Sequence, residues 1–224
     1  GGFQPTLQCA KIYRFRGPRP TLQMENTVDV LYQTALDTFV NLLAQAEQSV
    51  DPEPTAMTLA TVGRDGRPAA RTVLLKGHDE RGFVFYTNFN SRKGKQLAIN
   101  PQAALLFHWK HIKEGVQVKI EGTVEPVSAA EADTYFASRP RGSQIGAWAS
   151  LQSQPLASRE LFDQRVLEFE QKYDGVAVPR PPHWSGFRIV PERLEFWYGA
   201  NFRLHERQCF ERIDGNWVQV MLYP

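Results

Sequence analysis

The spacing of apolar positions divides this chain of 224 residues into an early helical segment and a longer region of strands. Over 27–49, apolar residues recur every three or four positions, which is the period of an amphipathic helix. The prolines of Asp51-Pro-Glu-Pro54 end that helix. Apolar and β-branched runs over 56–62 and 70–75 then flank a turn at 63–68, and this pattern predicts a hairpin.

The remainder of the chain continues as short strands with helices between them. The predicted strands span 82–87, 103–109, 116–127, 186–190, 193–198, 207–212 and 216–222. The predicted helices span 91–100, 128–137 and 158–173. The regular alternation of a doubly wound sheet is missing, so we expect a mainly β fold of the α+β class, an antiparallel, Greek-key-like barrel with peripheral helices. We expect a single domain over 26–224, preceded by an irregular arm over 1–25.

Composition and charge exclude several classes of function. A net charge of +2 argues against wholesale binding of nucleic acid, and no apolar run is long enough to cross a bilayer. Glycine motifs for dinucleotides and the P-loop are absent. Cys9 and Cys209 are far apart and lack metal-ligand spacing, so we expect free thiols in a reducing compartment and no metal site. We therefore expect a cytoplasmic protein, with an organellar location left open.

The most informative segment is 135–148, which contains two arginines, two serines and a tyrosine within nine residues. Pro140 and Gly142 predict a turn at its centre. Arginine offers a planar fork of donors that suits phosphate, and no acidic residue lies within the segment. The segment is therefore either an oxyanion pocket or a solvated basic loop.

Polar residues at the ends of two predicted strands give a second candidate anion site. Arg71 and Lys76 stand at the two ends of one strand, and Ser91, Arg92 and Lys93 open the helix that follows the next strand. A helix N-terminus with such residues favours phosphate, because free N–H groups and the helix dipole add to the side-chain charge. Alternatively, Ser91 is only an N-cap and the two cations face solvent.

A third basic group lies close to the C-terminus. Strand alternation would place Arg203, His205 and Arg207 on one face, with Leu204 and Glu206 on the other. Arginine stacks on flat aromatic systems, so this face is suited to cover a heteroaromatic ligand. The alternative is an exposed strand face.

Together these motifs resemble the pyridoxine/pyridoxamine 5′-phosphate oxidases over about 54–224, most of the chain. The motifs occur in family order: Arg71-Thr-Val-Leu-Leu-Lys76, Phe85-Tyr-Thr-Asn88, Ser91-Arg-Lys93, the segment 135–148, Gln152-Ser153, Glu195-Phe-Trp197 and Arg203-Leu-His-x-Arg207. The resemblance implies an FMN-binding split β-barrel that forms a homodimer with FMN at the subunit interface. It implies neither a nucleic-acid nor a membrane partner.

The resemblance also implies a role for each matching residue. Groups near the FMN phosphate and ribityl chain would be Arg71, Arg92, Lys93, Gln152 and Ser153. The flavin ring and the remaining polar groups of FMN would contact Thr72, Val73, Leu74, Leu75, Lys76, Tyr86, Thr87, Gln117, Trp197 and Arg207. The substrate 5′-phosphate would bind Lys76, Tyr135, Arg139 and Ser143. Arg203, Leu204 and His205 would lie against the pyridine ring, with Arg203 and His205 as the catalytic pair.

The activity implied is oxidation of pyridoxine 5′-phosphate or pyridoxamine 5′-phosphate to pyridoxal 5′-phosphate, by hydride transfer to flavin N5 and reduction of O2 to H2O2. Val116, Tyr198 and Met221 stand where the family usually has Arg, Gln and Arg, and Ala10 replaces an arginine of the arm. These departures keep two alternatives open. One is a split-barrel flavin oxidase with another substrate, as in phenazine pathways, and the other is a non-catalytic paralogue that binds pyridoxal 5′-phosphate or FMN.

Overall fold

The computed structural model describes residues 29–224, so the predicted arm over 1–25, with Cys9 and Ala10, lies outside the described residues. The α-helices of the described part are α1 Val30–Glu47, α2 Arg92–Ile99, α3 Ala129–Ala137, α4 Arg141–Ala149 and α5 Arg159–Lys172. The strands are β1 Ala56–Val62, β2 Pro68–Leu74, β3 Gly77–Asp79, β4 Gly82–Asn88, β5 Gln102–Trp109, β6 Val116–Pro126, β7 Trp184–Tyr198, β8 Glu206–Ile213 and β9 Asn216–Leu222. Within residues 29–224, no helix combines the length and apolar character needed to span a membrane.

The strands form one curled antiparallel sheet in the order β2-β1-β5-β6-β7-β4-β3, and this confirms the predicted mainly antiparallel fold. The first half of β7 pairs with β4 and its second half pairs with β8, which in turn pairs with β9. The sheet therefore branches at β7. Its curl brings β2 into contact with β4, and peripheral helices cover the outside.

The prediction of two separate strands over 186–190 and 193–198 was wrong, because β7 is continuous. The register of β6 with β7 shifts between Glu121 and Gly122, which leaves Glu192 as an extra residue beside Pro191. A bulge of this kind bends a strand without ending it, and a proline without an N–H fits there. Gly122 is required at the bend, since a Cβ at this position would lie 2.0 Å from the Val190 carbonyl oxygen.

Helix α1 contributes its apolar face to the main core inside the curled sheet. Phe39 is fully buried and meets Phe83 and Phe107 edge-on, with ring centroids 4.8 and 5.3 Å away. Burial of one such side chain stabilises the fold by about 1.5–3 kcal/mol. Asp29 caps the helix by accepting a hydrogen bond from Leu31 N–H at 2.8 Å.

A smaller apolar cluster joins α3, α4 and α5 to the start of β7, through Phe136, Ile145, Tyr173 and Trp184. The predicted turn centred on Pro140 and Gly142 is only partly right, because Gly142 lies inside α4. Pro140 is the residue before the helix, and its fixed φ leads directly into the first turn. The segment 135–148 is therefore the end of one helix, a short connection and most of a second helix. It is not a basic loop.

Candidate active site

A cavity of about 470 Å³ is lined by residues of β2, β4, α2, α3 and α4 and of the connections beside them. The predicted site residues that line it are Thr72, Val73, Leu74, Lys76, Tyr86, Thr87, Lys93, Tyr135, Arg139, Ser143 and Gln152. Five residues to which the sequence analysis assigned no role line it as well, namely Asn88, Gly146, Ala147, Ser150 and Trp184. The predicted residues outside the lining are Arg71, Leu75, Arg92, Gln117, Ser153, Trp197, Arg203, Leu204, His205 and Arg207.

One cationic group of the cavity consists of Lys76 and Arg139. Burial lowers the pKa of Lys76; the Glu53 charge opposes this effect, and the Arg139 charge adds a smaller lowering effect. Burial also lowers the pKa of Arg139. In the described part of the chain no carboxylate forms a salt bridge with either cation, and Arg139 Nη1 is buried without a hydrogen-bond partner. Such a donor favours an anionic ligand.

Aromatic rings hold Arg139 in place of a carboxylate. Its guanidinium carbon lies 4.6 Å from the ring centroid of Trp184, which is buried. Tyr86 stacks on Trp184 at 5.3 Å with 7° between the planes, and on Tyr135 at 4.0 Å with 15°. Trp184 directly follows a proline-rich connection, and no sequence pattern distinguishes it from a core residue. Its role beside Arg139 could be found only from the structure.

A second cationic group lies at the start of α2 and comprises Arg71, Arg92 and Lys93. Lys93 Nζ donates to Thr87 Oγ1 and to Gln152 Oε1, both at 3.1 Å, so this cation does not extend into solvent. Burial lowers the pKa of Lys93 and the Arg71 charge adds to the effect. None of the three cations forms a salt bridge with a carboxylate of residues 29–224. A bound anion would relieve the repulsion among them.

Ser91 and Arg71, which lie at or beside this second group, have hydrogen-bond partners within the chain. Ser91 is indeed the N-cap of α2, because its Oγ accepts from Gly94 N–H at 3.2 Å. The Arg71 guanidinium is directed to β1 and α2, where it donates to Leu59 O at 3.0 Å and to Thr61 Oγ1 at 2.6 Å. Arg71 therefore supports the cationic group from behind the cavity wall.

The predicted strand face of Arg203, His205 and Arg207 is wrong. The ladder between β7 and β8 ends at the pair Tyr198 and Glu206, so 199–205 form the loop between the two strands. Asn201–Arg203 is a short 3-10 turn in which Arg203 has φ 62°, outside the extended region that alternation requires. The loop departs from strand geometry because Gly199 and Asn201 favour turns.

The C-terminal residues nevertheless form a group of their own. Gln117 lies opposite Trp197 in the β6–β7 register, and Trp197 lies opposite Arg207 in the β7–β8 register. The His205 ring centroid is 4.3 Å from that of Trp197. The structure thus collects these predicted residues at the end of β7, apart from the cavity of the same chain.

Arg207 is fixed by the buried carboxylate of Glu195, to which its Nε donates at 2.9 Å. Lys119 and Arg193 donate to the same carboxylate, at 3.0 and 2.8 Å. Burial alone would raise the pKa of Glu195, but the three cationic donors outweigh it and lower the pKa. Glu195 therefore stays ionised and orients Arg207.

A curled antiparallel barrel with two groups of cations beside one cavity is the arrangement of a split-barrel flavin-binding protein. Residues 43–173 match the family model for pyridoxamine 5′-phosphate oxidase, and residues 184–224 match the model for the C-terminal dimerisation region of pyridoxine 5′-phosphate oxidase. The chain belongs to the pyridoxine/pyridoxamine 5′-phosphate oxidase family.

Relatives and solved structures agree with this membership. The chain is 59% identical over 220 residues to the pyridoxine/pyridoxamine 5′-phosphate oxidase of Myxococcus xanthus, covering 98% of this chain and 97% of the relative. It is also 59% identical over 196 residues to that of Xanthomonas euvesicatoria pv. vesicatoria (strain 85-10), with 87% and 98% covered. The structure of PhzG from Burkholderia lata 383, in complex with tetrahydrophenazine-1-carboxylic acid, matches with a TM-score of 0.77 and 32% identity, covering 89% of this chain and 95% of that chain.

A pyridoxamine 5′-phosphate oxidase-related, FMN-binding protein from Nostoc punctiforme PCC 73102 shares the fold, with a TM-score of 0.66 at 16% identity over 84% of this chain and 96% of that chain. Family membership makes the chain an oxidase and a flavoprotein with FMN as its cofactor. The carboxylate-free cations of the cavity fit such a group, since FMN brings a phosphate that they would neutralise. The match over 184–224 supports a homodimer.

Proposed function

We propose that this oxidase converts pyridoxine 5′-phosphate or pyridoxamine 5′-phosphate to pyridoxal 5′-phosphate. The observation that carries the proposal is the presence of two separate cationic groups beside one cavity, neither of them paired with a carboxylate of the described chain. A reaction between FMN and a phosphorylated substrate requires two phosphate sites at one cavity. A substrate without a phosphate would leave the buried Arg139 Nη1 without a partner.

Each cationic group is assigned to one phosphate. Lys76, Tyr135, Arg139 and Ser143 bind the substrate 5′-phosphate at the end of the cavity formed by α3 and α4. Lys93, with Arg71 behind the cavity wall and Arg92 at the start of α2, binds the FMN phosphate, while Gln152 and Ser153 contact the ribityl chain. Phosphate binding far from the reacting carbon supplies energy that aligns the substrate with the flavin.

A second copy of the chain completes each site in this proposal. Trp197, Arg203, His205 and Arg207 lie in the region that matches the dimerisation model, and none of them lines the cavity of its own chain. Across the interface, Trp197, Arg207 and Gln117 contact the FMN ring. Arg203 and His205 lie against the substrate ring on the side away from the flavin.

When bound, FMN would accept a hydride from the C4′ carbon, and O2 would take up the two electrons with two protons as H2O2; with the amine substrate, water would hydrolyse the imine product and release ammonia. The chain's own residues hold the two rings together and exclude water from them. His205 Nδ1 accepts the Ala200 N–H at 3.2 Å, so the neutral ring carries its proton on Nε2. That proton is then available to the substrate, and Arg203 adds positive charge beside the ring.

The alternative is a tricyclic, unphosphorylated substrate, because PhzG, solved in complex with tetrahydrophenazine-1-carboxylic acid, shares the fold at 32% identity. The higher identity of 59% to the pyridoxine/pyridoxamine 5′-phosphate oxidases and the two phosphate sites favour the phosphorylated substrate. Competition decides between the two: pyridoxal 5′-phosphate should compete for the site, and an unphosphorylated tricyclic acid should not.

The proposal is tested by steady-state oxidation of both substrates, with flavin content measured on the same sample. We expect a yellow protein that forms pyridoxal 5′-phosphate with one O2 consumed per product. Full flavin occupancy without turnover of either substrate would disprove the proposal and leave the non-catalytic alternative.

A further inference from the structure

Helix α4 presents one face of small residues to the cavity. Ser143, Gly146, Ala147 and Ser150 all line it, at the three- and four-residue spacing that marks one side of a helix. Ser143 belongs to the proposed 5′-phosphate site, and Gly146 lies one helical turn further along. The position next to the substrate phosphate is therefore the one without a side chain.

Packing among residues 29–224 does not explain this glycine. A Cβ built on Gly146 has no neighbouring heavy atom within 4 Å, and its φ lies outside the left-handed region. Gly94 in α2 is the opposite case, since a Cβ there would lie 2.2 Å from the Phe89 carbonyl oxygen. Glycine is also a poor helix former compared with alanine. The space at Gly146 opens into the cavity, so what enters the cavity is the remaining reason for it.

The rest of the cavity lining describes the shape of that ligand. The rings of Tyr86, Tyr135 and Trp184 are stacked in parallel on one another, with interplanar angles of 15° or less, and form a rigid aromatic wall. Arg139 lies over Trp184, and its Nη1 has no hydrogen-bond partner among residues 29–224. A rigid aromatic wall, a helix face of small residues and a cation without a carboxylate partner fit a ligand that carries a phosphate on a small ring.

We propose that Gly146 is a specificity-determining residue, whose missing side chain leaves room for the pyridine ring of the 5′-phosphate substrate. The inference rests on the proposed function, because it assigns the ring beside Ser143 to the substrate and not to FMN. An added side chain would reduce the space for the ring and leave both phosphate sites intact.

The test compares Gly146→Ala and Gly146→Leu with Gly142→Ala and Gly142→Leu. Gly142 is a matched control because it lies in the same helix, its Cβ would also meet nothing within 4 Å, and it does not line the cavity. Measurements on the flavin-loaded proteins are flavin content, melting temperature, the dissociation constant of pyridoxal 5′-phosphate, and the competition constant of inorganic phosphate.

Gly146→Ala should weaken the binding of pyridoxal 5′-phosphate about tenfold, and Gly146→Leu should weaken it more, because a larger side chain overpacks a filled site. Flavin content and the competition constant of inorganic phosphate should not change, and the alanine variants should melt no lower than the wild type. Both Gly142 variants should bind as the wild type does.

Wild-type affinity of Gly146→Leu for pyridoxal 5′-phosphate would overturn the inference, and so would loss of flavin from the Gly146 variants, which would place the flavin there. Equal weakening at both positions would overturn it too, because the cause would be the helix itself. If the wild-type protein does not bind pyridoxal 5′-phosphate, the proposed function fails before Gly146 is tested.

Discussion

At the scale of single residues, the site depends on cations that form no salt bridge with a carboxylate of residues 29–224. Arg139 rests on Trp184 at 4.6 Å, and an aromatic ring holds a guanidinium without neutralising its charge. A carboxylate at the same place would compete with the substrate phosphate. The arrangement therefore keeps both position and charge available for a ligand.

Lys76 gives a prediction on pH dependence. Its pKa lies below that of a free lysine, chiefly through burial, so its positive charge is lost as the pH rises through this lowered value. The KM for pyridoxine 5′-phosphate should therefore rise on the alkaline side. In Lys76→Arg, whose guanidinium stays charged, this rise should move to higher pH. Steady-state profiles of both proteins check it, and identical alkaline limbs would contradict it.

The sequence predicted most of these residues but not their arrangement. Lys76, Tyr135, Arg139 and Ser143 line one cavity, as short motifs rich in cations and small residues indicated. Trp184 was missed because a lone tryptophan carries no pattern. Gly146 lies within the segment 135–148 but was given no role, because the predicted turn did not show which residues of a helix face the cavity. Arg203 and His205 were placed on a strand because alternation cannot detect a loop that begins where a ladder ends.

At the scale of elements, helix α3 connects the barrel to the substrate site. Glu131 forms a capping box with Ser128 and also accepts from Arg188 of β7, which is 4% exposed, at 2.8 Å. Tyr135 lies one turn further along the same helix and lines the cavity. The Arg188–Glu131 pair thus fixes the helix that carries Tyr135.

Glu131→Gln should destabilise the protein by about 3 kcal/mol at neutral pH, because the buried Arg188 would keep only the distant and exposed Glu125 as a charged partner. Burial acts to raise the pKa of Glu131, but hydrogen bonds from Arg188 and Ser128 outweigh it and lower the pKa from 4.5 to about 2. The Glu131 carboxylate therefore stabilises the folded state fully above pH 4.5. That stabilisation is lost as the pH falls towards 2.

Urea unfolding at neutral and acidic pH measures the difference in unfolding free energy between the wild type and Glu131→Gln. This difference should become smaller in acid. Glu125→Gln is the control, because Glu125 is 3.9 Å from Arg188 and its side chain is 54% exposed. Glu125→Gln should lower the free energy of unfolding by less than about 0.5 kcal/mol. Equal costs for the two variants would contradict the role given to Glu131.

Local signals predicted some elements well and misled at others. The Ser-x-x-Glu pattern located the start of α3, since a capping box is a property of four neighbouring residues. Arg-Pro-Arg-Gly suggested a turn, yet tertiary packing of Ile145 and Ala149 makes 141–149 a helix. The bulge in β7 escaped detection because its cause lies in the register with another strand.

At the scale of the whole molecule, the two sets of predicted site residues lie apart in one chain. One set lines the cavity between β2, β4 and the helices, and the other lies at the end of β7 beside β8. The C-terminal match to a dimerisation region is consistent with the proposal that a second copy brings the two sets together. Sequence motifs suggest which residues share a site, but they do not show which copy of the chain supplies each one.

Met221→Asp should therefore shift the protein towards monomer and lower its flavin content. Met221 is 62% exposed near the end of β9, within the dimerisation region, and a buried interface carboxylate would lack a partner. Val176→Asp is the control, because Val176 is similarly exposed at 56% and lies outside 184–224. Sedimentation and flavin absorbance on both variants test this. A monomer that keeps its flavin would show that one chain is sufficient for FMN.

The central claim is that the cavity holds two phosphates at two different cationic groups, and Arg139→Ala tests it most directly. The measurement is a titration of the flavin-loaded variant with pyridoxal 5′-phosphate, with flavin content taken from the same spectra. Loss of a charge-assisted contact should weaken binding about 10- to 100-fold, while the protein stays as yellow as the wild type. Loss of flavin with unchanged affinity for pyridoxal 5′-phosphate would contradict the account, because it would place the FMN phosphate at Arg139.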